Sequence, residues 1–213
     1  MSTRLLIATG NAGKVKEIRH ELELAHGWLS TLEVMGLKDL PTPPPECVED
    51  RPTFTGNAMK KARHYAAYAN CLTLADDSGL CVNALNDAPG VYSARYAGVS
   101  GHGADEANNK KLLAAMENVP DEQRQARFVC AMALALPSAD LAIMVDEVHG
   151  VLLRSARGTN GFGYDPLFYF PEFNKTTAEL DMATKSGISH RGKALRRILS
   201  WMSTQPSLGE LGA

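Results

Sequence analysis

Apolar positions recur along this chain with two alternating periods, and they mark out strands and helices in turn. The run Leu5-Leu6-Ile7-Ala8 predicts a first strand, which stops at Thr9-Gly10-Asn11-Ala12-Gly13-Lys14. Val15, Ile18 and Leu22, with Ala25 beyond them, share one face and predict an amphipathic helix over 15–24. A short strand is expected at 31–34. An irregular loop then carries Pro41, Pro43, Pro44, Pro45 and Pro52 together with Glu46, Glu49 and Asp50. An alanine-dense helix is expected over 57–70, and Leu72-Thr73-Leu74-Ala75 reads as a strand that ends at Asp76-Asp77-Ser78-Gly79. Residues 88–103 look loop-like, and 105–116 suits a helix. Two long apolar strands, 127–136 and 141–153, flank Pro137-Ser138-Ala139-Asp140 as a hairpin. A glycine-rich aromatic loop spans 157–166, and Ser189 is placed to cap a last helix over 190–202. Helices alternating with strands early, and a hairpin later, predict an α/β protein with a mixed sheet.

Composition narrows this picture without changing it. The 213 residues suit one domain with two lobes over 1–203, followed by a flexible tail over 204–213. A net charge of −2, from 22 basic and 24 acidic residues, gives no global attraction to nucleic acid or to an anionic membrane. No apolar run reaches membrane-spanning length, and the first strand begins too early to leave room for a signal peptide. Cys47, Cys71, Cys81 and Cys130 lie far apart without a C-x-x-C pair, which predicts reduced core thiols of a cytoplasmic protein.

The first loop carries the clearest chemistry. A strand that turns through glycines into a helix start aims backbone N–H groups at one point, where the helix dipole also favours an anion. Lys14 adds a positive charge, and Thr9 and Asn11 add side-chain hydrogen bonds. The spacing matches neither Walker A nor the dinucleotide fingerprint, and an ordinary strand–turn–helix joint has the same composition. In Asp76-Asp77-Ser78-Gly79, neighbouring carboxylates on a strand end point to opposite sides, so one of them faces a site as metal ligand or proton acceptor. As an isolated tetrapeptide it reads more simply as a turn. Lys14, Lys61, Lys185 and Arg191 are phosphate or base contacts, or solvated helix residues. Phe162-Gly163-Tyr164-Asp165 sets a ring against a nucleobase with an acceptor on its edge, or forms a buried aromatic corner. His20, His26, His64, His102 and His149 lack metal-ligand spacing.

The order of these segments is more specific than any one of them. Thr9–Lys14, Asn57–Ala62, Ala75–Leu80, Pro89–Tyr96, Gly161–Phe168 and Lys185–Gly192 together resemble the inosine triphosphate pyrophosphatase family, over nearly the whole chain. The resemblance implies an elongated mixed β-sheet flanked by helices, two lobes with a central active-site cleft, and a homodimer. It implies Mg²⁺-dependent hydrolysis of non-canonical purine nucleoside triphosphates, such as ITP, dITP and XTP, to a monophosphate and pyrophosphate. Asp77 then becomes the general base and a metal ligand, with Ser78 beside the substrate. The segment Thr9, Gly10, Asn11, Ala12, Gly13 and Lys14 holds the triphosphate, with Lys61 as a further contact. Phe162, Gly163, Tyr164, Asp165 and Lys185 hold the nucleoside, and His190 and Arg191 the base edge. Because a guanidinium only donates, Arg191 suits a purine 6-oxo group and mismatches the 6-amino group of adenine.

Gly56 departs from the pattern, since many relatives carry Glu there. A second acidic ligand is then expected from the loop, Glu49 first and Glu46 behind it. Two other readings compete: a phosphatase working through a phosphoaspartate, which lacks a carboxylate at the first strand, and a nucleotide-binding regulator without turnover, which Gly56 alone favours.

Overall fold

The opening apolar run forms β1 (Arg4–Ile7), with Leu5, Leu6 and Ile7 fully buried, in a computed structural model that describes residues 3–210. Helix α1 (Ala12–Glu23) begins three residues before the expected start because Asn11 caps it: Asn11 Oδ1 accepts from Lys14 N at 3.1 Å. Gly13 therefore lies inside the first helical turn. After β2 (Glu33–Gly36) and the proline-rich loop, Thr53 caps α2 (Phe54–Ala69), and left-handed Asn70 ends it. Strand β3 (Leu72–Val82) is much longer than its apolar start suggested. It runs straight through Asp76-Asp77-Ser78-Gly79, which is neither a turn nor a strand end. Helix α3 (Ala104–Ala115) precedes β4 (Gln125–Leu136) and β5 (Ala139–Leu152), joined by Pro137-Ser138 as the expected hairpin. Three short elements escaped the periodicity: β6 (Phe168–Phe170), β7 (Lys175–Thr176) and α4 (Met182–Ile188). Helix α5 (His190–Ser203) matches its expectation.

The seven strands hydrogen-bond in the order β2-β1-β3-β4-β5-β6-β7. β1 pairs parallel with β2 and β3, and β6 pairs antiparallel with β5 and β7, so the sheet is mixed as predicted. The chain divides into two compact units: Met1–Asp77 with Cys130–Asp146 and Arg191–Ala213, and Ser78–Val129 with Glu147–His190.

In the first unit, side-chain alternation sorts the strands into two packed layers. Leu5, Ile7, Leu72, Leu74, Cys130, Met132 and Leu134 meet Ile18 and Leu22 of α1 and Leu195, Ile198 and Met202 of α5. The opposite parity, Leu6, Ala8, Ala75, Ala131, Ala133 and Ala135, meets Ala58, Ala62 and Ala66 of α2. Alanine on both sides of that layer lets α2 approach the sheet closely. The second unit packs Phe168 against Phe128, ring centroids 4.5 Å apart, among Leu80, Leu112, Met116, Leu152 and Leu180.

Residues after Ser203 are not frayed where they are described. Pro206–Glu210 forms a 3₁₀ turn, Leu208 is buried in the α1/α5 layer, and Thr3 Oγ1 donates to the carbonyls of Leu208 and Gly209 at 3.2 and 2.8 Å. The rest of the predicted tail, 211–213, lies outside the described residues. Leu208→Ala is expected to cost about 2 kcal/mol in denaturant unfolding, and Leu24→Ala, at an exposed position, under about 0.5 kcal/mol. Equal small effects would contradict the docked end.

Candidate active site

The parity that sorts the core also sorts the two carboxylates of β3. Asp76 continues the face of Leu72 and Leu74 and meets groups from α1 and α5; Asp77 continues the face of Ala75 and meets α2. Asp76 is fully buried, with Lys14 Nζ 2.8 Å and Arg191 Nε 3.4 Å away. Burial alone would raise its pKa, but Lys14, Arg191 and Lys61 hold the carboxyl well below the usual range. Arg191 is itself buried, and its second partner is Glu17, one helical turn after Gly13 on α1. Burial opposes its charge, yet Glu17 and Asp76 more than offset that penalty. Arg191, expected at the base edge, is thus placed as the counter-ion of two buried carboxylates.

Asp77 is balanced differently. Asn57 Nδ2 donates to its Oδ2 at 3.0 Å, and Lys61 Nζ stands 3.9 Å from Oδ1. Lys61 in turn donates to Glu49 Oε1 at 2.5 Å. Asn57 and Lys61 are four residues apart and so share one face of α2, while Ala58 and Ala62, 0% exposed, seat the helix on the sheet. That division of labour explains the N-A-x-x-K-A pattern. Asn57 also accepts from Arg51 N at 2.9 Å, which ties the acidic loop to Asp77. Asn57 was part of the sequence pattern, but its role was not legible there. The signal was an amide and a lysine at helical spacing, each followed by alanine.

Burial is the largest influence on Asp77, and it raises the pKa to about 6 despite Lys61 and Asn57; the charge of Glu49 adds to the rise. Glu49 is half-buried beside Lys61, whereas Glu46 is exposed. Gly56 points elsewhere: a Cβ there would meet Arg51 Cβ at 2.9 Å and Thr53 Oγ1 at 3.0 Å, on the outer flank of α2. Asn57, the next residue, is the one that faces Asp77. Glycine at 56 therefore leaves the contacts of Asp77 with Asn57 and Lys61 in place.

No group of three or more His, Cys, Asp or Glu side chains suited to a metal occurs among the described residues. Two carboxylates, Asp77 and Glu49, nevertheless face one ammonium. This donor set suits Mg²⁺, which takes one or two protein carboxylates and fills its octahedron with water and phosphate oxygens.

The Thr9 and Asn11 side chains bond within the first loop. Thr9 Oγ1 accepts from Asn11 N at 3.2 Å and Asn11 Oδ1 caps Lys14 N. Thr9 and Asn11 therefore shape the loop, and Gly10 is exposed at its tip. The first-turn N–H groups of Ala12 and Gly13 have no carbonyl within the helix to meet. Lys14 leaves the same turn to reach Asp76.

The second unit holds the aromatic cluster. Asp165 Oδ2 accepts from Phe162 N at 2.9 Å and from Lys185 Nζ at 2.7 Å, and that ammonium lies 5.0 Å from the centre of the Phe162 ring. Gly161, at φ +80, cannot be replaced, because a Cβ would collide with Asp165 Oδ2 at 2.0 Å. Tyr164 donates to the carbonyl of Ser93 at 2.9 Å, and its burial pushes the phenol pKa up. His190 is buried with its ring stacked on Phe128, centroids 4.9 Å apart. Ser78, half-buried, follows Asp77 on the opposite face of β3.

The raised pKa of Asp77 has a consequence for stability. Between an ordinary aspartate value of 3.8 and about 6, the folded chain binds more protons than the unfolded one, so stability falls as pH rises through that window. Asp77→Asn removes the penalty. The metal-free variant is expected to be more stable than wild type by about 2 kcal/mol at neutral or higher pH, with the difference gone below about pH 4. Denaturant unfolding at both pH values checks this, and a variant destabilised at neutral pH would contradict it.

Residues 5–201 match the Ham1 family. The chain is 48% identical to the dITP/XTP pyrophosphatase of Desulforamulus reducens over 196 residues, covering 92% of this chain and 94% of that one. It is also 48% identical to that of Geobacter sulfurreducens over 206 residues, covering 95% and 100%. The solved HAM1 protein of Coxiella burnetii superposes with a TM-score of 0.81 at 38% identity, covering 95% of this chain and 99% of that one. Matched over nearly its whole length and sharing the α/β fold of these proteins, the chain belongs to the Ham1 family.

Proposed function

We propose that this chain is a nucleoside triphosphate pyrophosphatase that removes non-canonical purine nucleotides, ITP, dITP and XTP, by hydrolysis between the α- and β-phosphates. The observation that carries the reading is Asp77, a buried carboxyl of raised pKa oriented by Asn57 and set beside Glu49 and Lys61. Its relatives are named dITP/XTP pyrophosphatases.

In this reading the loop from Thr9 to Lys14 receives the triphosphate. Lys14 and Lys61 offset part of its charge of about −4, and positioning with charge neutralisation is most of what phosphoryl transfer asks of a protein. Asp77 and Glu49 would hold Mg²⁺, which when bound supplies further charge neutralisation at the phosphates. Asp77 accepts a proton from the attacking water, with Asn57 fixing the carboxyl plane through its bond to Oδ2. Asp76 stays ionised throughout and anchors Lys14 and Arg191 at the base of the phosphate loop.

Base choice falls to the second unit. Phe162 offers a face to the purine, and the Lys185 ammonium beside that ring, a donor only, matches a 6-oxo group and opposes a 6-amino group. His190 supports this cluster from its stack on Phe128. Four buried free thiols suit a reducing, cytoplasmic setting. No helix among the described residues is long and apolar enough to cross a membrane. The resemblance adds a homodimer, which light scattering of the purified protein checks.

With ITP and Mg²⁺ the expected products are IMP and pyrophosphate, with ATP far slower; inorganic phosphate as sole phosphorus product would overturn the reading. Asp77→Asn is expected to lose at least about a hundredfold in kcat while remaining folded, and near-wild-type turnover would acquit Asp77. Arg191→Ala is expected to lower kcat/KM for ITP and ATP by the same factor and to lose stability, because it strands Glu17 and Asp76. A selective loss for ITP would return Arg191 to the base edge.

A further inference from the structure

Helix α3 holds the aromatic loop by the backbone of that loop. Asp105 Oδ2 accepts from Gly163 N at 2.7 Å, and Asn109 Nδ2 donates to Gly163 O at 2.8 Å. Asp105 and Asn109 are four residues apart, so both side chains leave the same face of α3 and grip the two polar ends of one residue. Gly163 sits at φ +60, between Phe162 and Tyr164. Its neighbours are held independently: Phe162 N by Asp165, and the Tyr164 hydroxyl by the Ser93 carbonyl. Between them on α3, Asn108 accepts from Ala97 N at 2.7 Å and donates to Ala94 O at 3.2 Å. One helix thereby fixes both the Gly163 peptide groups and the Pro89–Tyr96 segment, whose Ser93 in turn holds Tyr164.

We propose that Asp105 and Asn109 are positioning residues for base recognition: together they clamp Gly163 and so set the plane of the Phe162 ring against the incoming purine. The proposal rests on the reading that Phe162 and Lys185 receive the base. A left-handed glycine has few steric limits of its own, so without the clamp the loop has several orientations open to it. Ordering it then falls to the ligand and weakens binding, whereas the phosphate-side groups that govern turnover lie on α1, α2 and β3. Neither residue touches the base; each acts through Gly163.

The test compares Asn109→Ala, Asp105→Ala and Asp105→Asn, with Lys110→Ala, an exposed neighbour on the same helix, as control. Steady-state kinetics with ITP and ATP are measured beside calorimetric binding of IMP. Each alanine variant is expected to raise KM for ITP and Kd for IMP about five- to tenfold, as the loss of one hydrogen bond predicts, with kcat changed less than about threefold. KM for ATP stays within about twofold, so the ITP-to-ATP ratio of kcat/KM falls. Asp105→Asn recovers most of the loss, since an amide oxygen still accepts from Gly163 N. The clamp is overturned if kcat falls while KM and the IMP Kd stay put, if both nucleotides weaken equally, or if Asp105→Asn is as damaging as Asp105→Ala. Variants indistinguishable from a wild type that does bind IMP would also overturn it. Wild type that neither binds IMP nor hydrolyses ITP would instead sink the underlying reading.

Discussion

Two adjacent carboxylates on a buried strand would each cost several kcal/mol if left unpaired, and the first unit is organised around avoiding that cost. Strand alternation separates Asp76 from Asp77, so each meets its own partners. Asp76 receives Lys14 and Arg191, and Glu17 shares with Asp76 in offsetting the cost of burying the Arg191 charge. Those four residues tie the start of α1 and the start of α5 to β3. Asp77 receives an amide and a more distant ammonium, and its burial outweighs both. Its cations hold the Asp76 carboxyl well below the usual carboxylate range, while burial pushes that of Asp77 up to about 6.

The second unit reaches precision by different means. Its aromatic loop contains glycines at left-handed positions, and such a loop holds one shape only where its peptide groups are bonded. Asp165, Asp105, Asn109 and the Ser93 carbonyl provide those bonds from three separate stretches of chain. Rigid presentation of Phe162 and Lys185 is then a property of the surrounding helices rather than of the loop itself.

The elements legible in the sequence were those with sustained periodicity: β1, α1, α2, α3, α5 and the β4–β5 hairpin. The Asp, Ser and Gly within β3 favour turns when nothing opposes them, and what opposes them here is tertiary: Lys14, Asn57 and Lys61. β6, β7 and α4 are two to seven residues long, too short for a period to show. Within the candidate site, Asp77, Lys14 and Lys61 stand out through their motifs. The setting of Arg191 does not, since Glu17 lies 174 residues away and no local pattern announces the pair. No local pattern announces Asp105 and Asn109 either, since Gly163 lies more than fifty residues beyond them.

The account stands on the claim that Asp77, and not Asp76, is the carboxyl that gains and loses a proton in the working pH range. A ¹³C NMR titration of the metal-free protein labelled at aspartate carboxyls, with the two signals assigned through Asp76→Asn and Asp77→Asn, measures this directly. The account predicts that the Asp77 resonance titrates near pH 6 while Asp76 remains ionised to the acid limit of the folded protein. An Asp77 midpoint close to the ordinary 3.8, or a midpoint near 6 that belongs to Asp76, would contradict it.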